Sequence, residues 1–288
     1  MTGAAGMLAS ELLLQAPSGI DALGTDLSST VPGVRSSGVD LAESEQVERL
    51  WREHGPFAGV LHCAAYTAVD LAEANEPLAL RVNGQACRVL ARVCAREKIP
   101  LVVVSTDFVF DGASARPYRE DDPVAPLSAY GRTKLAGERA AQEEHPAGTR
   151  IVRTQWLYGP RGKHFPGTIR SLARERTLLR VVSDQHGSPT TTLELAPALW
   201  DVLLRGEPGV WHAACEGEAT WFDLAVATLE GSGVRGVQVE PCSTAEFPRP
   251  ARRPAYSVLD CTKLARLRGR RLAPWRDALG TFLERYPL

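Results

Sequence analysis

The sequence predicts an α/β protein built on a doubly wound parallel sheet. Over the first two-thirds of the 288 residues, short apolar segments rich in β-branched residues alternate with longer segments of helical periodicity. That alternation is typical of parallel strands with helices on both faces. The predicted strands are Gly19–Gly24, Gly59–Ala64, Leu101–Ser105, Arg150–Trp156 and Leu179–Ser183, and the predicted helices are Glu45–His54, Pro77–Glu97, Tyr130–Glu144 and Trp221–Gly231.

The composition excludes several classes of protein. With 33 Lys plus Arg against 34 Asp plus Glu, the net charge is −1, so the chain lacks the cationic excess of a nucleic-acid binder. No apolar run approaches the roughly 20 residues that span a bilayer. The apolar start contains Glu11 and no basic residue, unlike a signal peptide. The six cysteines have no metal-binding spacing, so we expect reduced thiols, no metal site and a cytoplasmic protein.

A glycine turn near the N-terminus predicts a Rossmann-type dinucleotide site. The segment at residues 3–9 fits the pattern G-x-x-G-x-x-G/A, in which glycines let the backbone approach a pyrophosphate at the start of a helix. Asp26 stands 20 residues after Gly6, where an acidic side chain accepts from the adenosine ribose. Asp40 and Leu41 follow a short predicted strand and are expected to flank the adenine. This part of the cofactor site comprises Gly3, Ala5, Gly6, Met7, Leu8, Asp26, Asp40 and Leu41.

The choice between NADPH and NADH stays open at this point. Asp26 repels a 2′-phosphate and so favours NADH. Ser28 and Ser29 follow it, however, and their hydroxyls could accept the phosphate of NADPH.

The strand that should lead into the glycine turn is missing from the pattern. The first strand of a Rossmann-type sheet is central, yet only Met1 and Thr2 precede Gly3. We therefore expect a truncated first strand, with either further residues upstream or a remodelled N-terminus.

Hydroxyl groups and a lysine predict the catalytic chemistry. Ser105 and Thr106 follow a continuous apolar strand, at the edge where open α/β sheets bind ligands. Tyr130 and Lys134 are spaced i, i+4 and so share one helix face. A Tyr is a poor acid or base at neutral pH, and a neighbouring ammonium lowers its pKa. We expect Tyr130 to protonate a carbonyl oxygen that Ser105 or Thr106 holds.

Longer segments carry a resemblance over nearly the whole chain. They lie at residues 3–8, 64–73, 105–112, 130–138, 153–159, 184–190 and 250–254. With them the sequence resembles the extended short-chain dehydrogenase/reductases, and within that superfamily the dTDP-4-dehydrorhamnose reductase family. The last three segments are the most specific, because they belong to the substrate side of the family.

The resemblance implies an activity and a role for each matching residue. The implied reaction is NAD(P)H-dependent reduction of the C4 ketone of dTDP-4-dehydrorhamnose to give dTDP-L-rhamnose. Thr106, Tyr130 and Lys134 are the implied catalytic triad, with Lys134 also binding the nicotinamide ribose. The implied cofactor site gains Ala64, Ala65, Tyr66, Ser105, Tyr130 and Lys134. The implied substrate-binding residues are Val69, Thr106, Asp107, Phe108, Trp156 and Arg253.

The sequence departs from the family pattern on its substrate side. Phe108 stands where the family commonly has Tyr, so any hydrogen bond from that phenol is lost. Some relatives hold a magnesium ion between subunits with a Glu at the position of Leu193. Glu194 lies beside that position rather than at it, so this sequence does not predict a metal-bridged dimer.

Three alternatives follow from the same resemblance. A reductase of a different nucleotide sugar remains open. Sugar-nucleotide dehydratases carry Glu at the position of Phe108, and Phe cannot perform acid-base work, which argues against elimination chemistry. The regulatory subunit of methionine adenosyltransferase has a similar fold and would bind NADP without catalysis.

The expected organisation has two parts. Residues 1–156 form a dinucleotide-binding domain. Residues 157–288 are mainly a smaller α/β substrate-binding region, with some segments returning to the first sheet. A dTDP-sugar is the expected ligand, nucleic acid and membranes are not expected partners, and a homodimer is compatible with the resemblance.

Overall fold

A computed structural model of the protein describes residues 1–27 and 34–287. It confirms the α/β fold with a parallel sheet. Ser28 and Ser29 lie outside the described residues. The strands are β1 Gly24–Asp26, β2 Val34–Ser37, β3 Val60–His62, β4 Leu101–Thr106, β5 Thr149–Thr154, β6 Leu157–Tyr158, β7 Leu178–Val182, β8 His186–Gly187, β9 Thr190–Thr191, β10 Gly209–His212, β11 Ala219–Thr220 and β12 Gln238–Cys242.

Helices cover both faces of the sheet and build most of the C-terminal part. They are α1 Met7–Leu14, α2 Ser44–His54, α3 Val69–Ala74, α4 Glu76–Leu80, α5 Ala86–Glu97, α6 Ala129–Glu144, α7 Phe165–Leu172, α8 Thr192–Arg205, α9 Trp221–Gly231, α10 Thr262–Arg268 and α11 Trp275–Arg285. A π-helical turn, Arg81–Gln85, joins α4 to α5. Within the described residues, no helix is long and apolar enough to cross a lipid bilayer.

The main sheet is parallel and has two parts that meet at Thr2. Strands β3, β4, β5 and β10 pair in the order β10-β5-β4-β3, and β1 pairs with β2. Thr2 forms parallel bridges to Thr25 of β1 and to His62 of β3. Its amide donates to Leu61 O at 3.1 Å, and the amide of Thr25 donates to Met1 O at 2.8 Å. Met1 and Thr2 thus take the central position of the sheet, between β1 and β3.

Alternation along the strands explains the two helical layers. Val60, Leu101 and Ile151 pack with residues of α5 and α6 on one face. Leu61 and Val102 point to the other face, where they pack with α1, α8 and α11. Successive strand residues face opposite sides of a sheet, so a continuous apolar run indicates burial on both faces.

The strand predicted at Gly19–Gly24 is wrong, because β1 begins only at Gly24. The preceding residues turn instead: Ile20 N donates to Pro17 O, and Gly19 has φ +83°. Thr25 N donates to Met1 O, and the amino group of Met1 donates to Leu23 O at 2.6 Å, so the backbone contacts of this segment form only at its end. Strand β3 also ends earlier than predicted, because the amides of Cys63 and Ala64 donate to Thr2 Oγ1.

The C-terminal part combines short strand pairs with helices. Strand β7 pairs with β12, β6 with β9, and β8 with β11. The parts are joined by packing: α8 lies against α1, and Trp200 Nε1 donates to Leu12 O at 3.1 Å. Strand β10 returns to the main sheet beside β5.

Gly3 is a glycine at which this fold should not tolerate a side chain. Its φ is +68°, and an added Cβ would lie 2.8 Å from the backbone of Ala64. Both the strained conformation and the backbone clash should destabilise Gly3→Ala by about 2 kcal/mol. Urea unfolding of the purified variant measures this loss.

Gly280→Ala is the matched control. Gly280 lies within α11, and an added Cβ would meet nothing within 4 Å. Ala is the better helix former, so the free energy of unfolding should rise by about 0.5 kcal/mol. Equal effects of the two substitutions would contradict the close approach of Gly3 to Ala64.

Candidate active site

A large cavity lies at the carboxyl ends of the main-sheet strands. Its volume is about 890 Å³, and its lining extends from the glycine turn to the N-terminal end of α6. Ligands of open α/β sheets bind at this edge. Of the residues predicted for the site, it is lined by Gly3, Ala5, Gly6, Met7, Leu8, Asp26, Asp40, Leu41, Ala64, Ala65, Val69, Ser105, Thr106, Asp107, Phe108, Tyr130, Lys134, Trp156 and Arg253.

The glycine turn brings the N-terminal end of α1 to this cavity. Gly6 N donates to Gly3 O at 2.8 Å, which closes the turn directly before α1. The first turn of α1 contains no acidic side chain, and no side chain caps its amides. Open amides and the positive end of the helix dipole favour an anion such as a pyrophosphate.

Two acidic residues lie beside the turn. Asp26, at the end of β1, accepts from Ala5 N at 3.0 Å. The carboxylate therefore holds the turn while it lines the cavity. Asp40 accepts from Ala42 N at 3.0 Å and from Arg81 at 2.6 Å.

The residues of the predicted triad lie together at the end of β4. Thr106 is the last residue of that strand, and its hydroxyl accepts from Phe108 N at 3.2 Å. Tyr130 follows the N-cap of α6, where Ser128 Oγ accepts from Gly131 N. Gly131 allows this approach, because a Cβ there would lie 2.2 Å from Phe108 O. The ring of Phe108 meets Tyr130 edge to face at 5.6 Å.

The pKa of Tyr130 differs from the sequence-based expectation. Burial raises it to about 12, a hydrogen bond with Thr106 lowers it, and the charge of Asp107 raises it. Lys134 is not among the groups that shift this pKa, contrary to expectation, and its Nζ donates to Val104 O at 2.7 Å. Tyr130 therefore keeps its proton at neutral pH, which is the form that a proton donor requires.

A buried ion pair supports α6, the helix that carries Tyr130 and Lys134. Glu138 lies one turn after Lys134 on α6, and its carboxylate pairs with Arg153 of β5 at 2.7 Å. The two side chains are only 2% and 5% exposed. Ser105 Oγ donates to the same carboxylate. Because the guanidinium donates to the carboxylate through Nε and Nη2, the pair fixes α6 against β4 and β5.

Asn83 is a supporting residue that the sequence analysis missed. It lies in the π-helical turn, is 1% exposed, and its Oδ1 accepts from Tyr66 N at 2.8 Å. Its Nδ2 donates to Tyr66 O and to Thr133 Oγ1. Tyr66 itself does not line the cavity: its ring packs with Ala72, Ala79 and Ala129. A buried polar residue within a predicted apolar stripe was the signal available in the sequence.

Stacked aromatic rings form another wall of the cavity. Trp156 and Trp221 are stacked at 3.7 Å with an interplanar angle of 8°, and Phe165 meets Trp221 at 4.7 Å. Trp156 has φ +47°, so β5 cannot continue through it as predicted. The sequence analysis missed Trp221 and Phe165, although the Thr220/Asp223 capping box marks the start of α9.

Arg253 is held at the mouth of the cavity by Asp70. Two hydrogen bonds of 3.0 Å join the guanidinium to the carboxylate. Burial alone would raise the pKa of Asp70, but the hydrogen bonds and charge of Arg253 lower it overall. Lys163, which was not predicted, lines the same mouth. Two cations at the entrance suit a diphosphate.

Comparison with known families decides where the chain belongs. The model of the family described as RmlD substrate binding domain matches residues 1–287. The chain belongs to the RmlD family.

Relatives of this RmlD-family chain are similar over almost its full length. It is 43% identical over 290 residues to a dTDP-4-dehydrorhamnose reductase of Mycobacterium tuberculosis, covering 98% of this chain and 91% of the relative. It is 41% identical over 292 residues to a probable dTDP-4,6-dihydroxy-2-methyloxan-3-one 4-ketoreductase of Streptomyces antibioticus, covering 100% and 94%. The crystal structure of the Bacillus anthracis dTDP-4-dehydrorhamnose reductase in complex with NADP superimposes with TM-score 0.91 at 33% identity, covering 99% and 97%.

In this RmlD-family chain, Leu193 and Glu194, where the sequence departs from the family pattern, both make contacts within the chain. Glu194 Oε2 accepts from Ala273 N at 3.1 Å, so its carboxylate makes a contact within the chain. Leu193 packs at the edge of the core. Residues 1–27 and 34–287 contain no group of three or more His, Cys, Asp or Glu arranged to hold a metal ion.

Asp107 should make the stability of the protein depend on pH. Burial raises its pKa to about 6, whereas an unfolded Asp titrates near 3.8. As the pH rises between these values, the unfolded chain loses the proton first, so the folded state is progressively destabilised. Between pH 3.5 and pH 7, wild type should lose about 3 kcal/mol of stability relative to Asp107→Asn. Urea unfolding at a series of pH values measures the difference.

Asp111→Asn provides the opposite sign. Hydrogen bonds from Ala113 N and Tyr118 lower the pKa of Asp111. Its contribution to stability is therefore present at neutral pH and is lost as the pH falls. The stability deficit of Asp111→Asn should shrink on acidification, whereas Asp107→Asn should lose its advantage. The same trend in both variants would show that general acid effects outweigh burial of Asp107.

Proposed function

We propose that the protein is an oxidoreductase that reduces the C4 ketone of dTDP-4-dehydrorhamnose with NAD(P)H, giving dTDP-L-rhamnose. The observation that carries the proposal is the protonated Tyr130 beside Thr106, inside the cavity that the glycine turn also lines. The relative from M. tuberculosis that covers most of the chain bears the name of this reaction.

The residues fit a dinucleotide. Gly3 leaves no room for a Cβ at the point where the turn meets Ala64, and the open amides of α1 face the cavity. Asp26 stands at the end of β1, in position to accept from a ribose hydroxyl. Bound NADPH or NADH would supply the hydride.

The residues of the chain itself would manage the proton and the geometry. Tyr130 donates its phenolic proton to the oxygen of the ketone as negative charge develops there. Thr106, hydrogen-bonded to Tyr130, holds the same oxygen. Lys134 places a positive charge beneath the site through its hydrogen bond to Val104 O. Arg253 binds the diphosphate of the sugar nucleotide at the mouth of the cavity.

A second candidate is a 4-ketoreductase of a different dTDP-sugar. The relative from S. antibioticus is 41% identical and carries a name with another ketone substrate. Both names describe ketone reduction on a dTDP-linked ring, so the reaction type is common to them. Phe108 lines the cavity and has no titratable group, which opposes dehydratase chemistry.

A non-catalytic regulatory subunit is the candidate from another class. The buried and protonated Tyr130 opposes it, because a binding subunit has no use for a proton donor beside the cofactor cleft. The discriminating assay is NADPH oxidation with dTDP-4-dehydrorhamnose. Cofactor binding without turnover would favour the regulatory role.

The cellular setting is also part of the proposal. All six cysteines are unpaired thiols, as expected in a reducing compartment. We therefore propose a cytoplasmic enzyme, with a dTDP-sugar and a dinucleotide as its ligands. A homodimer stays a prediction.

Tyr130→Phe should nearly abolish turnover. The substitution keeps the ring against Phe108 and removes only the proton donor, so kcat should fall by about 10³-fold. Dinucleotide affinity, measured by calorimetry, should change less than about 3-fold. The matched control is Tyr158→Phe, because the Tyr158 hydroxyl is buried without a hydrogen bond to any described residue. Retained turnover in Tyr130→Phe would contradict the assigned role.

Asp26→Asn should shift the cofactor preference toward NADPH. The substitution removes a negative charge from the ribose end of the cavity and keeps an oxygen for Ala5 N. The ratio of kcat/KM for NADPH to that for NADH should rise by about 10-fold. Asp21→Asn is the control, because Asp21 is largely exposed and pairs with Arg35 away from the cavity. An unchanged ratio in Asp26→Asn would place the ribose elsewhere.

A further inference from the structure

Three residues that line the cavity each carry a buried polar atom that makes no hydrogen bond within the described residues. The atoms are Asp107 Oδ2, Thr154 Oγ1 and Gln155 Nε2, on side chains that are 2%, 6% and 2% exposed. Thr106 pairs in register with Thr154, so the three atoms follow the ends of the neighbouring strands β4 and β5. A buried polar atom without a partner is costly. Their grouping on one wall therefore points to a polar ligand.

The orientation of the Gln155 amide is fixed by its neighbours. Ser188 N donates to it at 3.0 Å, and a backbone amide can only donate, so the accepting atom must be Oε1. Ser257 Oγ lies 3.4 Å from the same oxygen. The NH₂ group of Gln155 is consequently left without a partner among the described residues, on a side chain that lines the cavity.

Ser257 connects Gln155 to Asp107. Its hydroxyl lowers the pKa of Asp107 through a hydrogen bond, and it also lies near Gln155 Oε1 and His186 O. One hydroxyl proton cannot satisfy three acceptors. Asp107 therefore keeps acceptor capacity, and Ser257 is the neighbour that it shares with Gln155.

We propose that Gln155 Nε2 and Asp107 together bind one hydroxyl of the sugar, the hydroxyl on the carbon beside the ketone. A hydroxyl both donates and accepts, so it satisfies Asp107 and Gln155 at once. Asp107 directly follows Thr106, which is hydrogen-bonded to Tyr130. Thr106 thus connects Asp107 to Tyr130, the group that protonates the ketone oxygen. This inference rests on the proposed ketone reduction and names Gln155 as a determinant of its sugar specificity.

A site built around a hydroxyl should reject an analogue that lacks it, because the buried donor and acceptor are then left unpaired. We expect wild-type kcat/KM to fall by about 100-fold from the 4-keto-6-deoxy sugar nucleotide to its 3-deoxy counterpart. The 2-deoxy counterpart keeps the hydroxyl beside the ketone, and its kcat/KM should fall by less than about 10-fold.

The test combines these substrates with Gln155→Glu. The variant keeps the shape and the oxygen that accepts from Ser188 N, and it loses the amide donor. Its kcat/KM for the hydroxylated substrate should fall by about 10-fold or more, and its preference over the 3-deoxy substrate should shrink by the same factor. A purely structural role would lower the rates for all substrates equally.

Gln185→Glu is the matched control. Gln185 is also buried, but its amide is fully engaged with Thr244 Oγ1 and Trp221 Nε1. Its substrate preference should stay within about 2-fold of wild type. Gln155→Met, which removes the donor without adding a carboxylate, serves if Gln155→Glu melts far below wild type.

The outcomes separate the inference from the proposed function. The role of Gln155 is overturned if Gln155→Glu and Gln155→Met leave the preference for the hydroxylated over the 3-deoxy substrate unchanged. It is also overturned if the shift in preference is confined to the 2-deoxy substrate. Neither outcome contradicts ketone reduction. If wild type reduces none of the sugar nucleotides, the proposed function fails and takes the inference with it.

Discussion

The two parts of the parallel sheet are held together at Thr2. Its backbone pairs with β1 on one side and with β3 on the other, and its hydroxyl contacts His62 Nδ1 at 2.7 Å. The same hydroxyl accepts from Cys63 N and Ala64 N, which turns the chain out of β3 toward the cavity. Gly3 then turns away from the sheet against Ala64. Thr2 therefore determines the positions of the glycine turn, Asp26 and the adjoining part of the cavity.

Low polarity sets the chemistry at the other end of the cavity. Burial raises the pKa of Tyr130 and Asp107 and lowers that of Lys134. In each case burial shifts the pKa toward the neutral form, because the protein interior solvates charge poorly. The buried charges of Glu138 and Arg153 are joined directly to each other. Tyr130 therefore keeps its proton at neutral pH, while this ion pair joins α6 to β5.

The sequence predicted those parts of the fold and site that local pattern determines. The apolar run Leu101–Ser105 identified β4 to within one residue, and the i, i+4 spacing placed Tyr130 and Lys134 on one helix. The strand before Asp26 was misplaced, because its bounds depend on hydrogen bonds to residues distant in sequence. Trp221 and Gln155 were missed for a similar reason. Their importance arises from a stacked ring and an unpaired amide, which exist only once the two parts of the chain are packed together.

The π-helical turn at Arg81–Gln85 fixes the number of residues that can join α4 to α5. Each residue of a helix rotates the chain by about 100°, so the one extra residue in a π turn sets the rotation of everything after it. Asn83 faces Tyr66 and Thr133 while Cys87 and Leu90 of α5 still face the core. Loss of one residue here would turn α5 away from the sheet even if all the remaining side chains were unchanged. Within this stretch, homologous chains should therefore differ in residue type before they differ in length.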